Sequence, residues 1–172
     1  DRIGRRMIHP QVRVLDDAAH LATQVAAALL TSVHQAQLRG EVPQLCLTGG
    51  RIADAVHREI ARQAPRNDVD WTRVGFWWSD ERWVSAEDPQ RNAVQATEAF
   101  LAPLGISASQ VHPMPASDSG LSLQAAANSY GAELRRAGGG VFEMLMLGVG
   151  PDAHVASLFP GFSAAEVANA IV

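Results

Sequence analysis

The sequence predicts an α/β fold, a Rossmann-like open and mostly parallel sheet with helices on both faces. Three observations carry this expectation. Short apolar runs alternate with longer segments of helical periodicity, the pattern of units that build parallel sheets. The helical segments repeat their apolar residues every three or four positions, so each presents one face to a core. Three apolar runs end in glycine or charged residues, and in open α/β sheets ligands sit beyond the carboxyl ends of the strands.

Residues 8–15 alternate weakly and are expected to form a first strand. Asp16 or Asp17 then offers a carboxylate to cap a helix. Leu21, Val25, Ala28, Leu29 and Val33 follow at helical spacing, with Gly40 as the stop. Residues 44–47 make a short buried strand that ends in Thr48-Gly49-Gly50, and Ile52, Val56 and Ile60 mark the next helix. Residues 74–78 form a second strand, ending at Ser79-Asp80-Glu81-Arg82. A helix is expected over residues 92–101, before an irregular stretch with Pro103, Gly105, Pro113 and Pro115. Leu123, Ala127, Tyr130 and Leu134 give another helix, closed by three glycines at 138–140. Residues 142–147 are an apolar strand leading into Gly148-Val149-Gly150-Pro151-Asp152-Ala153-His154.

The 172 residues suit one domain, large enough to bury a core without disulfides or metals. The net charge of −4 argues against nucleic acid as a partner, because a phosphate backbone requires a basic surface. A small anion remains compatible, since a few arginines can hold one phosphate. All 14 basic residues are arginine, which removes lysine-based mechanisms from these residues. Cys46, the single cysteine, reads as a buried and inert thiol within an apolar run. No apolar stretch of 18 residues is present, so no membrane partner is expected. No apolar block follows the N-terminal arginines, so a cytoplasmic protein is the default expectation.

Two loops carry the phosphate-like chemistry. Thr48, Gly49 and Gly50 precede a helix; glycine lets the backbone approach an anion, and the helix end offers free N–H groups. The same residues also fit a plain strand-to-helix turn. Asp80, Glu81 and Arg82 fit a solvated charge cluster, but their place at a strand end also fits an arginine that grips a phosphate. The last loop is the informative one. Residues 148–153 match a dinucleotide-binding glycine pattern, yet Pro151 lies inside it and Pro160-Gly161 soon breaks any helix, which excludes that reading. His154 sits in a glycine-rich strand-end loop, with Asp152 two residues away to orient its imidazole. It can therefore accept a proton near neutral pH. His20, His34 and His57 are expected at helix surfaces. No metal-ligand spacing and no serine-hydrolase elbow occurs, so neither a metal nor any other cofactor is expected.

The stretch from Leu145 through Gly148-Val149-Gly150-Pro151-Asp152-Ala153-His154 to Ala156-Ser157-Leu158-Phe159-Pro160 closely resembles the signature of 6-phosphogluconolactonases. Phe76-Trp77-Trp78-Ser79-Asp80-Glu81-Arg82-Trp83-Val84, Arg91-Asn92 and Leu47-Thr48-Gly49-Gly50 resemble further blocks of that family, in the family's order. The resemblance implies a fold shared with glucosamine-6-phosphate deaminases. It also implies hydrolysis of 6-phosphoglucono-δ-lactone in the oxidative pentose phosphate pathway, a phosphorylated sugar lactone being the small-molecule partner. His154 would be the general base with Asp152 beside it, and Arg82 with Thr48, Gly49 and Gly50 would hold the phosphate. Asp80, Glu81 and Asn92 would line the site. Backbone N–H groups from Gly148 to Ala153, Gly148 and Gly150 included, would stabilise the oxyanion. The alternatives are a deaminase or isomerase of the glucosamine-6-phosphate type and a non-catalytic sugar-phosphate sensor.

Two departures stand out. Ala153 occupies a position where the family has glycine, and Arg51-Ile52 follow Gly50 at once. The intact protein, read as one sugar-phosphate hydrolase domain, is expected to carry further residues near Gly50 and between 162 and 166. A monomer is compatible with the sequence, which does not define the oligomeric state.

Overall fold

A computed structural model describes residues 11–137 and 141–167. Helix α1 spans Ala18–Leu38, strand β1 Gln44–Leu47, helix α2 Arg51–Gln63 and strand β2 Gly75–Trp78. Helix α3 spans Asn92–Ala96 and runs into a wider turn of π type over Thr97–Leu101. Helix α4 spans Leu123–Ala137, and strand β3 Met144–Leu145. Among the described residues, one parallel sheet forms, in the order β2-β1-β3.

The chain's local chemistry sets the ends of these elements. Asp17 caps α1 by accepting from the backbone N–H of His20 at 2.7 Å. Gly40 ends the helix at φ 84°, a left-handed conformation that costs glycine little. Strand β1 supplies the centre of the sheet, pairing Leu45 with Phe76 on one side and with Met144 on the other. The outer edge of β2 is covered by one further bridge to Val111.

Successive strand residues point to opposite faces, and both faces are covered. Leu45, Leu47, Phe76 and Trp78 pack with α1, α2 and α3 in a core that includes Leu29, Leu30, Val33, Ile60 and Phe100. Cys46 and Trp77 face the other way, against Tyr130 and Leu134 of α4. The Tyr130 hydroxyl accepts from the Trp78 N–H at 2.9 Å and donates to the Trp78 carbonyl at 3.0 Å, which fixes α4 to the end of β2. Fully burying a side chain such as Leu29 contributes about 1.5–3 kcal/mol. Burial pushes the Cys46 thiol up to about 12, so it is the inert group its position suggests.

Four expectations change. Residues 11–15 form no strand: Val12 and Val14 are 86% and 90% exposed, with no neighbour to complete a ladder; residues 8–10 lie outside the described residues, as do the glycines at 138–140. The strand over 142–147 contracts to Met144–Leu145, although Glu143 and Met146 still donate to β1 carbonyls at 2.9 and 2.8 Å. The helix over 92–101 is α-helical only to Ala96, after which the Ala102 N–H bonds back five residues to the Thr97 carbonyl. His57 lies within the core rather than at the surface, against Phe100 at 5.0 Å between ring centres.

Burial lowers the His57 pKa to about 4 from its ordinary 6.5. The unfolded chain therefore binds a proton that the folded chain refuses between these values. The resulting stability is present above about pH 6.5 and is lost as pH falls towards 4, up to about 3 kcal/mol. Equilibrium unfolding followed from pH 7 to pH 4 should show this loss, and His57→Leu should flatten it; an equal slope in the variant would assign the acid sensitivity elsewhere.

Candidate active site

The site lies where β1, β2 and β3 end. After β1 the chain turns through Thr48, Gly49 and Gly50, and α2 begins at Arg51. Gly50 sits at φ 94° and provides no side-chain cap. The first N–H groups of α2 are thus left without a capping side chain, and the positive end of the helix dipole favours an anion there. Gly49 has a second constraint: a Cβ at this position would lie 1.7 Å from Asn92 Oδ1, so the asparagine amide presses directly on the turn.

Asp80 joins the loops. Its carboxylate accepts from Thr48 Oγ1 at 3.1 Å, Ser79 Oγ at 3.3 Å and Ser157 Oγ at 3.3 Å. Asn92 Nδ2 donates to the Asp80 carbonyl at 2.9 Å. Thr48, Asp80, Asn92 and the loop after β3 are therefore brought together, as the sequence suggests. Gly148 adjoins the same turn, since a Cβ there would stand 3.6 Å from Thr48 Oγ1.

Glu81 is placed differently from Asp80. Its oxygens accept the backbone N–H groups of Arg82, Asn92 and Ala93 at 2.8, 2.7 and 3.0 Å, and Arg91 Nη2 stands 3.7 Å away. Both side chains of the Glu81–Arg91 pair are only 4% exposed. Arg91 also donates to the Met114 carbonyl at 2.6 Å, while its Nη1 has no partner among the described residues. Arg82, by contrast, is an exposed residue and makes no ion pair among the described residues.

The loop after β3 folds into a compact turn. The Gly150 N–H donates to the His154 carbonyl, the Ala153 N–H to the Gly150 carbonyl and the Ala156 N–H to the Gly148 carbonyl, at 2.9, 3.0 and 2.8 Å. Oxyanion stabilisation by the N–H groups of Gly150 and Ala153 is thereby excluded in this arrangement, because both are already bonded within the turn. The turn holds His154 Nδ1 2.5 Å from Asp152 Oδ1, with the ring 4.5 Å from that of Phe159. The bond to His154 holds the Asp152 carboxyl below its usual range. Gly150 is required here, since a Cβ would come within 2.0 Å of the His154 ring.

Two clefts open on these elements. One, of about 580 Å³, is walled by Thr48, Gly49, Gly50, Arg51, Gly148 and Val149. The other, of about 450 Å³, is walled by Asp80, Glu81, Arg82, Ser157 and apolar residues including Leu158. Leu147 lines both. The Thr48-Gly49-Gly50 turn and Arg82 thus stand on walls of different clefts, and neither His154 nor Asp152 lines either one. No group of three or more metal-ligating side chains occurs among the described residues, and none of their helices is long and apolar enough to cross a membrane.

The family model for glucosamine-6-phosphate isomerases/6-phosphogluconolactonase matches residues 16–172. The chain belongs to this family. The 6-phosphogluconolactonase of Streptomyces coelicolor is 39% identical over 160 residues, which cover 88% of this chain and 61% of that protein. The crystal structure of 6-phosphogluconolactonase from Thermotoga maritima is 29% identical with a TM-score of 0.73, covering 86% of this chain and 63% of that one. A monomeric glucosamine-6-phosphate deaminase, 16% identical with a TM-score of 0.73 over 85% of this chain and 58% of its own, shares the fold. The chain thus spans about three-fifths of the length of these proteins. The open α/β sheet expected from the sequence is the sheet of this family.

Ser157 and Arg91 escaped the sequence reading as site residues. Ser157 lies within the block that carries the family resemblance, but a serine hydroxyl announces no partner. Arg91 stands in a block that carries the resemblance, but nothing in the sequence pairs it with Glu81, ten positions earlier. The two alanines at positive φ, Ala153 at 66° and Ala156 at 51°, mark the strain of this loop. An L-residue in this region costs about 1–2 kcal/mol, part of which glycine returns through its larger unfolded-state entropy. Ala153→Gly should therefore raise the unfolding free energy by about 0.5–1 kcal/mol, measured by urea denaturation; a loss of stability would show that the alanine is unstrained.

Proposed function

We propose that the intact protein hydrolyses 6-phosphoglucono-δ-lactone to 6-phosphogluconate, with His154 as the general base. The observation that carries this reading is the His154–Asp152 pair held in a glycine-built turn at the strand ends. The names of the relatives agree with the lactone hydrolysis. With Nδ1–H donating to the carboxylate, Nε2 keeps its lone pair and can take a proton from water. Asp152 stays ionised, fixes this tautomer and stabilises the imidazolium that forms; when the tetrahedral intermediate collapses the ring C–O bond breaks, and the imidazolium returns its proton to the departing ring oxygen.

A lactone carbonyl is an activated ester, so attack by water needs a positioned base and donors for the oxyanion. With Gly150 and Ala153 already bonded, the N–H groups of Gly148 and Val149 are the loop donors assigned to that role. The anion of the substrate belongs at the uncapped N-terminus of α2, beside Thr48, Gly49 and Gly50. Arg82 stands on the wall of the adjoining cleft, across Leu147, which lines both, and we assign its exposed side chain to the same anion from that side. Asp80 and Asn92 hold the loops in register. The phosphate lies far from the reacting carbon and supplies orientation.

Turnover of the lactone by the intact protein, set against glucosamine 6-phosphate, tests the assignment; hydrolysis of the first and no reaction of the second is the expected result. His154→Ala should lower kcat by about 10²- to 10⁴-fold while the fold persists. Wild-type turnover in a folded variant would remove His154 from the mechanism. Arg82→Ala should weaken binding of 6-phosphogluconate by about 1.5–3 kcal/mol in calorimetry. Unchanged affinity would leave Arg82 without a part in holding the phosphate.

A further inference from the structure

We propose that Glu81 and Arg91 are positioning residues that set the phosphate turn through Asn92, and that Glu81 does not itself bind substrate. The inference deepens the lactonase reading and rests on it for its kinetic test. Three backbone N–H groups converge on the Glu81 carboxylate, and Arg91 faces one of its oxygens at 3.7 Å. A carboxylate engaged this way and 4% exposed has no free oxygen for a sugar hydroxyl.

The bonds themselves say what the group does. Two of the three N–H donors are those of Asn92 and Ala93, the first residues of α3. Glu81 therefore acts as the cap that α3 lacks in its own sequence, since Arg91 at the cap position provides no side-chain bond. Arg91 balances the buried charge and ties it to the Met114 carbonyl. Together they leave the start of α3 one place to sit. That place puts the Asn92 amide on Gly49, where even a methyl group would collide, and gives its Nδ2 to the Asp80 carbonyl. The line of contact runs from Glu81 through Asn92 to the turn that would cradle the phosphate.

Kinetics and product binding of the intact protein separate this role from general stability. Glu81→Gln keeps the size of the side chain but offers one acceptor oxygen in place of two. It should raise KM for the lactone and Kd for 6-phosphogluconate roughly tenfold, with a much smaller change in kcat, as a displaced positioning group does. In an Asn92→Ala background the same substitution should add nothing, because the contact it acts through is gone. A loss of stability alone would instead reduce the active fraction, lowering the apparent kcat at constant KM. Unchanged KM and Kd, or an equal effect in both backgrounds, would overturn the proposal. If Glu81→Gln does not fold, Arg91→Lys is measured in its place, with the same direction expected and an unchanged KM counting against the proposal. A crystal structure of the variant judges the inference apart from the activity: the Asn92 amide should leave Gly49 and the Asp80 carbonyl. A wild-type protein without turnover would remove the lactonase reading, whereas an unmoved Asn92 would remove this one.

Discussion

The candidate site depends on one carboxylate. Asp80 stands at the end of β2 and accepts hydroxyls from Thr48, Ser79 and Ser157, so loops from all three strands meet on two oxygen atoms. Hydrogen bonds to a charged acceptor are among the stronger ones a protein makes. Here they tie Asp80 to residues 32 and 77 positions away along the chain. Asn92 supports the same junction from α3 by donating to the Asp80 carbonyl. Strand ends alone would leave three loops free to choose their own conformations. The junction removes that freedom before any ligand arrives, which lowers the cost of binding one.

Around this junction, the backbone is arranged for close approach. Gly49 and Gly150 are required by space: one accommodates the Asn92 amide, the other the His154 ring. Gly50 is required by conformation, at φ 94°. The loop after β3 makes a different choice and places Ala153 and Ala156 in the left-handed region, where strain is offset by the bonds of the turn. Strain of this kind persists where surrounding structure over-determines the backbone. The pairing of His154 with Asp152 sits inside that over-determined turn, so the orientation of the imidazole follows from backbone geometry as well as from the carboxylate.

Adjacent residues of one motif also separate by role. Asp80, Glu81 and Arg82 are consecutive, yet Asp80 joins loops, Glu81 caps α3 beneath the surface and Arg82 faces solvent. The irregular backbone that follows β2 turns each side chain in its own direction. A block that reads as one cluster of charge is in space three separate devices.

The chain order of strands and helices, the apolar stripe of α1, a cap at Asp16 or Asp17 and the stop at Gly40 were all legible in the sequence, because each depends on residues within a few positions of one another. The strand expected over residues 8–15 is absent from its described part, 11–15, for the complementary reason: alternation predicts a face, but only a neighbouring strand makes a ladder. The position of His57 was hidden in the same way, since helical spacing does not say how wide a buried face will be. Local pattern and motif sufficed for the family, the strand-end loops and the types of group that they carry. The reach of Ser157 to Asp80, the engagement of Glu81 by α3 and the closure of Asn92 on Gly49 came from the folded chain alone. Those contacts join residues far apart in the chain, and their selection depends on the packing of α3 and the last loop against the sheet rather than on any local preference of the residues involved.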